Sequence, residues 1–345
     1  MTDEHQTQPQ NEPDETPLIP GHETPTPSVE ESRMPVVRQL SILGLVLLGL
    51  FSASFVPMIV ANFTPEKEDL SAAAEAAVAQ ETIGDPEAFA DISIKGEAAF
   101  VWDVNSGEIL YEKNADAQLP IASITKLMTA LVAYEIIAAE TSVAIPDSAI
   151  AQNGDSGLRA GETFTFSALA DLTLVSSSND GAFAMAAAAG AALDGSAPAQ
   201  SFVEAMNIRA NELGLTNTYF RNPTGLDITE SEAGAFSSAR DVAKLMEYIL
   251  RKHPSILEAT TEPGSIFYNQ NGEYHEAENT NYTVNQIPGI IGSKTGYTAL
   301  SGGNLAVAFD ASVNRPVILV VLGSTYTGRF NDVLTLTQAT QQAVQ

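Results

Sequence analysis

Along the chain the apolar positions change period several times, and each change marks an element. AAFVWDVNSGEILYEKN reads as two strands, Ala98 to Val104 and Glu108 to Glu112, joined at Asn105-Ser106-Gly107, which is hairpin chemistry. From Ser123 to Glu140 the period shifts to that of a helix, with apolar residues at Leu127, Leu131, Tyr134 and Ile137 or Ala138, and a buried central helix is predicted. Further helical patterns occupy Ser167 to Ser176, Asp180 to Leu193, Ser201 to Leu213 and Ala239 to Lys252. Strand signals return at Ser265 to Tyr268, Ile290 to Thr295, Asn304 to Asp310 and Pro316 to Leu322, before a last helix from about Arg329. Strands at both ends with helices between them predict an α/β fold of the α+β kind, one antiparallel sheet closed by distant segments.

The first quarter of the chain follows different rules. Residues 1–32 are rich in Pro, Glu, Thr and Gln and contain no Lys or Arg, so residues 1–39 are expected to be a disordered acidic tail. Residues 40–62 contain SILGLVLLGLFSASFVPMIVA, uncharged and long enough to cross a bilayer as a helix. The segment starts too late and runs too long for a cleaved signal peptide, which favours an uncleaved anchor. Arg33 and Arg38 precede it whereas Glu66, Glu68 and Asp69 follow, so the positive-inside rule puts the tail in the cytoplasm and the body outside the cell membrane. Residues 63–91 read as an acidic, Ala-rich linker, and residues 92–345 as the folded domain.

Composition narrows the chemistry. A formal charge of -27 argues against nucleic-acid binding. With no cysteine in the chain, disulfides, thiolate metal sites and a cysteine nucleophile are excluded. His253 and His275 stand alone in the body, without the spacing that puts two metal ligands on one helix face, so no metal site and no cofactor are expected.

Ser123-Ile124-Thr125-Lys126 sets a hydroxyl and an ammonium about a turn apart at a helix start, where a lysine of lowered pKa can take the serine proton. Alone, this pattern is better read as an N-cap serine beside a solvated lysine. Ser177-Ser178-Asn179, between two apolar helical stretches, adds a second hydroxyl and an amide. Lys294-Thr295-Gly296 opens a strand, with a cation for positive field and a glycine that lets a peptide backbone approach.

In the order S-x-x-K, S-x-N, K-T-G, these are the motifs of penicillin-binding proteins and class A β-lactamases. The stretches ASITKLMTALVAYE, VSSSNDGAFAMA, FRNPTGLD, SSARDVAKLM, ENTN and GSKTGYT resemble the low-molecular-mass D-alanyl-D-alanine carboxypeptidases over most of residues 95–332. The resemblance implies a DD-peptidase fold with an inserted helical subdomain. It also implies that Ser123 is the acylated nucleophile, Lys126 its base, and Ser177 with Asn179 the proton relay and substrate clamp. Lys294 and Thr295 would bind substrate, and the backbone N–H groups of Ser123 and Tyr297 would form the oxyanion hole. Arg329, ending STYTGR, matches the family's carboxylate-binding arginine; the bland alternative is a surface ion pair at a helix start.

The expected partners are peptidoglycan stem peptides, with β-lactam antibiotics as inhibitors, and the membrane through the N-terminal helix. A D,D-endopeptidase of the same fold and a catalytically silent peptidoglycan- or penicillin-binding module stay open as alternatives. A β-lactamase fits less well, because no ExxLN-like loop follows the second motif.

Overall fold

The computed structural model describes residues 87–344 apart from Asp155, all within one compact unit. The stretches read as tail and anchor, 1–39 and 40–62, lie outside the described residues, as does most of the linker. Among the described residues no helix is long and apolar enough to cross a membrane.

Strands β1 (Ala98–Asp103) and β2 (Ile109–Lys113) form the expected hairpin. After the short strand β3 (Leu119–Pro120) comes a 3-10 turn, Ala122–Thr125, then helix α1 (Lys126–Ile136). The chain continues through β4 (Ser142–Ala144), α2 (Asp147–Ile150), β5 (Thr163–Thr165), α3 (Phe166–Ser176), α4 (Asn179–Leu193) and α5 (Pro198–Glu212). Short strands β6 (Tyr219–Phe220) and β7 (Ala235–Ser237) lead to α6 (Ala239–Lys252) and α7 (Ser255–Glu258). A hairpin of β8 (Gly264–Tyr268) and β9 (Tyr274–Glu278) precedes β10 (Ile290–Thr298), β11 (Gly302–Ser312), β12 (Arg315–Ser324) and the closing helix α8 (Gly328–Val344).

The main sheet is antiparallel in the order β10-β11-β12-β1-β2, so the N-terminal hairpin docks on the C-terminal strands, with Ala98 opposite Leu322 and Asp103 opposite Val317. Both faces of this sheet are covered. Val317, Leu319 and Val321 of β12 pack with Phe330, Val333 and Leu336 of α8. The alternate residues Ile318, Val320 and Leu322 join the core formed with the helices on the other face. Two covered faces are why β12 reads as a continuous apolar run rather than an alternation.

Differences from the expected elements are local. The predicted helix from Ser123 to Glu140 divides into the 3-10 turn and α1, because Ala122 adopts φ 47° and the chain turns extended at Ile137. Ser265 to Tyr268 pairs only with β9, and the hairpin stands apart from the main sheet. The charged sequence YHEAE of β9 carries little strand signal, and its pairing comes from packing of the inward residues, including Ala277. Phe89, in the stretch read as linker, stacks on Tyr111 with ring centroids 5.5 Å apart.

Candidate active site

Three distant segments meet at one cleft. The 3-10 turn holds Ser123, and α1 starts at Lys126 with nearly every residue of its first two turns buried, so the lysine is fixed in the core rather than free in solvent. Lys126 Nζ lies 2.8 Å from Ser123 Oγ, 2.8 Å from Asn179 Oδ1 and 2.9 Å from the Thr224 carbonyl oxygen. An amide oxygen and a carbonyl can only accept, so they take two N–H bonds and leave the amine's third direction to the Ser123 hydroxyl. Burial, reinforced by the positive charge of Lys294, holds Lys126 well below the ordinary lysine range. A neutral Lys126 in this place is able to accept a proton from Ser123.

The turn between α3 and α4 brings the second motif. Ser177 sits in the left-handed region at φ 60°, a conformation that glycine or asparagine usually takes after a helix. Ser178 caps α4 by accepting from the Gly181 N–H at 2.9 Å. The helices approach closely here, for a Cβ on Gly181 would lie 2.1 Å from Thr173 Oγ1. Asn179 donates its amide N–H to the Asn153 carbonyl at 2.6 Å, which turns Oδ1 toward Lys126.

Strand β10 forms the opposite wall. Lys294 Nζ donates to Ser177 Oγ at 2.8 Å and to the Thr295 carbonyl at 3.0 Å. Burial, followed by repulsion from Arg329, lowers its pKa to about 7. Thr295 Oγ1 and Thr280 Oγ1 share a hydrogen bond of 2.6 Å. At Gly296 the strand touches the 3-10 turn that holds Ser123: a Cβ there would lie 2.6 Å from the Ile121 carbonyl oxygen and 3.2 Å from the backbone nitrogen of Ser123. Only glycine allows that approach. It sets the Ser123 backbone beside the segment that carries Tyr297.

Ser123, Ser177, Thr295, Tyr297, Tyr326 and Arg329 line a shared cleft of about 170 Å³. Arg329, at the start of α8, is 3 % exposed, and among the described residues it makes no ion pair, unlike the surface arginine that sequence alone also allowed. Its Nη1 donates to the Gly296 carbonyl at 3.1 Å. The guanidinium carbon lies 4.7 Å from the ring centres of both Tyr326 and Phe330. Burial draws this guanidinium below its ordinary value, against the opposing pull of the neighbouring tyrosines.

Every residue singled out from the sequence therefore borders one site, but several participants were missed. The Thr224 carbonyl is one. It is presented by a loop in which Asn222 Oδ1 accepts from Thr224 N at 3.1 Å and from Gly225 N at 2.7 Å. Gly225, at φ 79°, packs so closely on Ala122 that a Cβ would lie 1.9 Å from its carbonyl oxygen. Thr280 and Tyr326 are further members. The stretches NPTGLD, ENTN and STYTGR contain all of them, and only the resemblance marked those stretches as more than loops. Among the described residues no group of three or more His, Asp or Glu could hold a metal ion.

A two-layered core with a serine–lysine pair at the edge of an antiparallel sheet is the architecture of penicillin-binding proteins. Among solved structures, the ampicillin-bound penicillin-binding protein D2 from Listeria monocytogenes superposes with a TM-score of 0.60 and 29 % identity, over 72 % of this chain and 98 % of that one. A profile of the D-alanyl-D-alanine carboxypeptidase family matches residues 82–326, and the chain belongs to that family. D-alanyl-D-alanine carboxypeptidase DacF of Bacillus subtilis is 32 % identical over 243 residues, which is 68 % of this chain but 59 % of DacF. D-alanyl-D-alanine endopeptidase of Pseudomonas aeruginosa is 34 % identical over 231 residues, 65 % of this chain and 70 % of the relative.

Proposed function

We propose that this protein is a serine-type D-Ala-D-Ala carboxypeptidase that trims peptidoglycan stem peptides through an acyl-enzyme on Ser123. The observation that carries the proposal is the buried Lys126 amine, 2.8 Å from Ser123 Oγ with both its other neighbours obligate acceptors. In the first step Ser123 Oγ attacks the carbonyl carbon between the two D-alanines and its proton passes to Lys126. The tetrahedral oxyanion forms where Gly296 brings β10 against the Ser123 backbone, and preorganised N–H donors there are worth about 3–4 kcal/mol each. The C–N bond then breaks, and the leaving amine takes back the proton that Lys126 accepted, by way of the Ser177 hydroxyl that Lys294 holds at 2.8 Å. Water, activated by the same base, attacks the acyl-enzyme and releases the shortened peptide.

Thr295 and Arg329 supply a hydroxyl and a cation for the free carboxylate of the terminal D-alanine. A β-lactam presents a carbonyl and a carboxylate in comparable relation, so penicillins acylate Ser123 and persist there. Residues 40–62 anchor the chain, with the domain on the outer side of the membrane. The test is product analysis on purified muropeptides. Release of one D-alanine per uncrosslinked pentapeptide supports the carboxypeptidase. Cleavage confined to crosslinked dimers would move the assignment to an endopeptidase, and penicillin binding without turnover of either would move it to a silent binding module.

A further inference from the structure

In the proposed reaction Lys126 becomes a cation when it takes the Ser123 proton, and its surroundings must serve that state too. The residue is fully buried, and the charge that acts on it is another cation, Lys294 of β10. A buried ammonium is costly unless hydrogen bonds hold it. Asn179 Oδ1 at 2.8 Å and the Thr224 carbonyl oxygen at 2.9 Å are placed to do so. A hydrogen bond from an ionised donor is about twice as strong as a neutral one. Both contacts therefore tighten as the proton arrives, and that difference lowers the barrier. The aim of the Thr224 carbonyl is set from outside the cleft. Thr129, buried one turn on from Lys126 in α1, donates its hydroxyl to the Pro223 carbonyl at 2.7 Å, in preference to the Thr125 carbonyl of its own helix at 3.4 Å. Asn222 Oδ1 accepts from Thr224 N at 3.1 Å, Thr224 Oγ1 at 3.0 Å and Gly225 N at 2.7 Å, and the Asn222 amide donates to the Leu226 carbonyl at 2.9 Å. Gly234 leaves room for that amide, since a Cβ there would lie 2.3 Å from Asn222 Nδ2.

Resting on the carboxypeptidase reading, we propose that Thr129 and Asn222 are positioning residues that hold the Thr224 carbonyl as an acceptor for the ammonium formed on Lys126 when Ser123 attacks. The proton moves from Ser123 Oγ to Lys126 Nζ as the bond from Oγ to the peptide carbonyl carbon forms, and Thr224 accepts one N–H of the resulting cation. When the proton is passed on to the leaving amine, the contact returns to its weaker neutral form. Neither positioning residue lines the cleft; both act through a backbone oxygen. The loop hangs from the helix that carries Lys126, so carbonyl and amine keep their mutual distance, and the carbonyl turns away only if the Thr129 and Asn222 bonds break.

The experiment follows, as a function of pH, the rate constant for acylation by a fluorescent penicillin and kcat/KM for a peptide ending in D-Ala-D-Ala. It uses the wild type, Thr129→Val, Thr129→Ser and Asn222→Ala, with a thermal melt of each. Thr129→Val keeps the shape of the side chain and removes only the hydroxyl, so the test does not depend on Asn222→Ala folding. Both Thr129→Val and Asn222→Ala should be acylated about tenfold more slowly or worse, the difference between a charged and a neutral hydrogen bond. The acid limb of the rate profile should also move to lower pH, because an ammonium that has lost an acceptor gives up its proton more readily. Thr129→Ser, which keeps the hydroxyl, should recover most of the rate. A folded Thr129→Val that is acylated within threefold of wild type, or whose acid limb stays where the wild type has it, overturns this inference alone. A folded wild type that is neither acylated nor able to release D-alanine overturns the carboxypeptidase reading and the inference with it.

Discussion

Gly296→Ala is the perturbation whose size is set most directly by the structure. The added Cβ would sit 2.6 Å from the Ile121 carbonyl oxygen and 3.2 Å from the nitrogens of Ser123 and Ile124, all of them backbone atoms that no rotamer change can move aside. Ordinary contact begins near 3.4 Å, so the strand and the nucleophile turn must separate by about 0.8 Å, a displacement that costs catalysis on the order of 100-fold. The same overpacking lowers stability by about 1–3 kcal/mol, leaving most molecules folded. The assay is the second-order rate constant for acylation by a fluorescent penicillin, with a thermal melt on the same samples. A fall of about 100-fold in a folded variant is expected. Acylation within threefold of wild type would refute the argument that glycine is required to hold β10 against Ser123.

Two further predictions concern the cations. Because Arg329 helps hold Lys294 at about 7, Arg329→Met should raise the Lys294 pKa and move the alkaline limb of the penicillin acylation profile to higher pH. The same variant should lose about 30–150-fold in kcat/KM for a peptide with a free carboxylate, from roughly 2–3 kcal/mol of charged hydrogen bonding, and lose less with penicillin; an unmoved limb would remove Arg329 from the electrostatic chain. Lys294→Met should abolish turnover yet flatten the pH dependence of stability. With the folded pKa near 7 and the unfolded one near its usual value, the unfolded chain binds more protons in between. Wild-type stability therefore rises with pH from about 7 to 10 by up to about 1.4 kcal/mol per unit from this one group, and denaturant melts at several pH values should show that slope missing in the variant.

How far the sequence anticipates the structure depends on where each feature's physics lies. Strand β12 and helix α6 were legible because burial imposes a pattern on consecutive side chains, and Ser238, accepting from the Asp241 N–H, marks the start of α6 locally. Strand β9 was not, since its outward residues are charged and its pairing is set by the element it meets. The same division runs through the site. Ser123, Lys126, Ser177, Asn179 and Lys294 bear their chemistry in their side chains and could be picked out by type and order, whereas Arg329 was marked only by the resemblance. The Thr224 carbonyl could not, because a backbone oxygen has no residue signature and its aim is set by Asn222 and Gly225. Nor does the sequence reveal that Ser177 occupies the left-handed region, or that Lys126 and Arg329 are buried. Those are consequences of packing between segments far apart in the chain, and they are what turn ordinary residue types into a reactive set.

The central claim is that Ser123 is a nucleophile activated by Lys126. It is tested most directly by the intact mass of the folded domain after brief exposure to benzylpenicillin, with Ser123→Ala alongside. The account predicts one penicilloyl adduct on the wild type, mapping to the peptide that contains Ser123, and none on the variant. A folded wild type that gains no mass and leaves the penicillin intact, or an adduct that survives in Ser123→Ala, would contradict it.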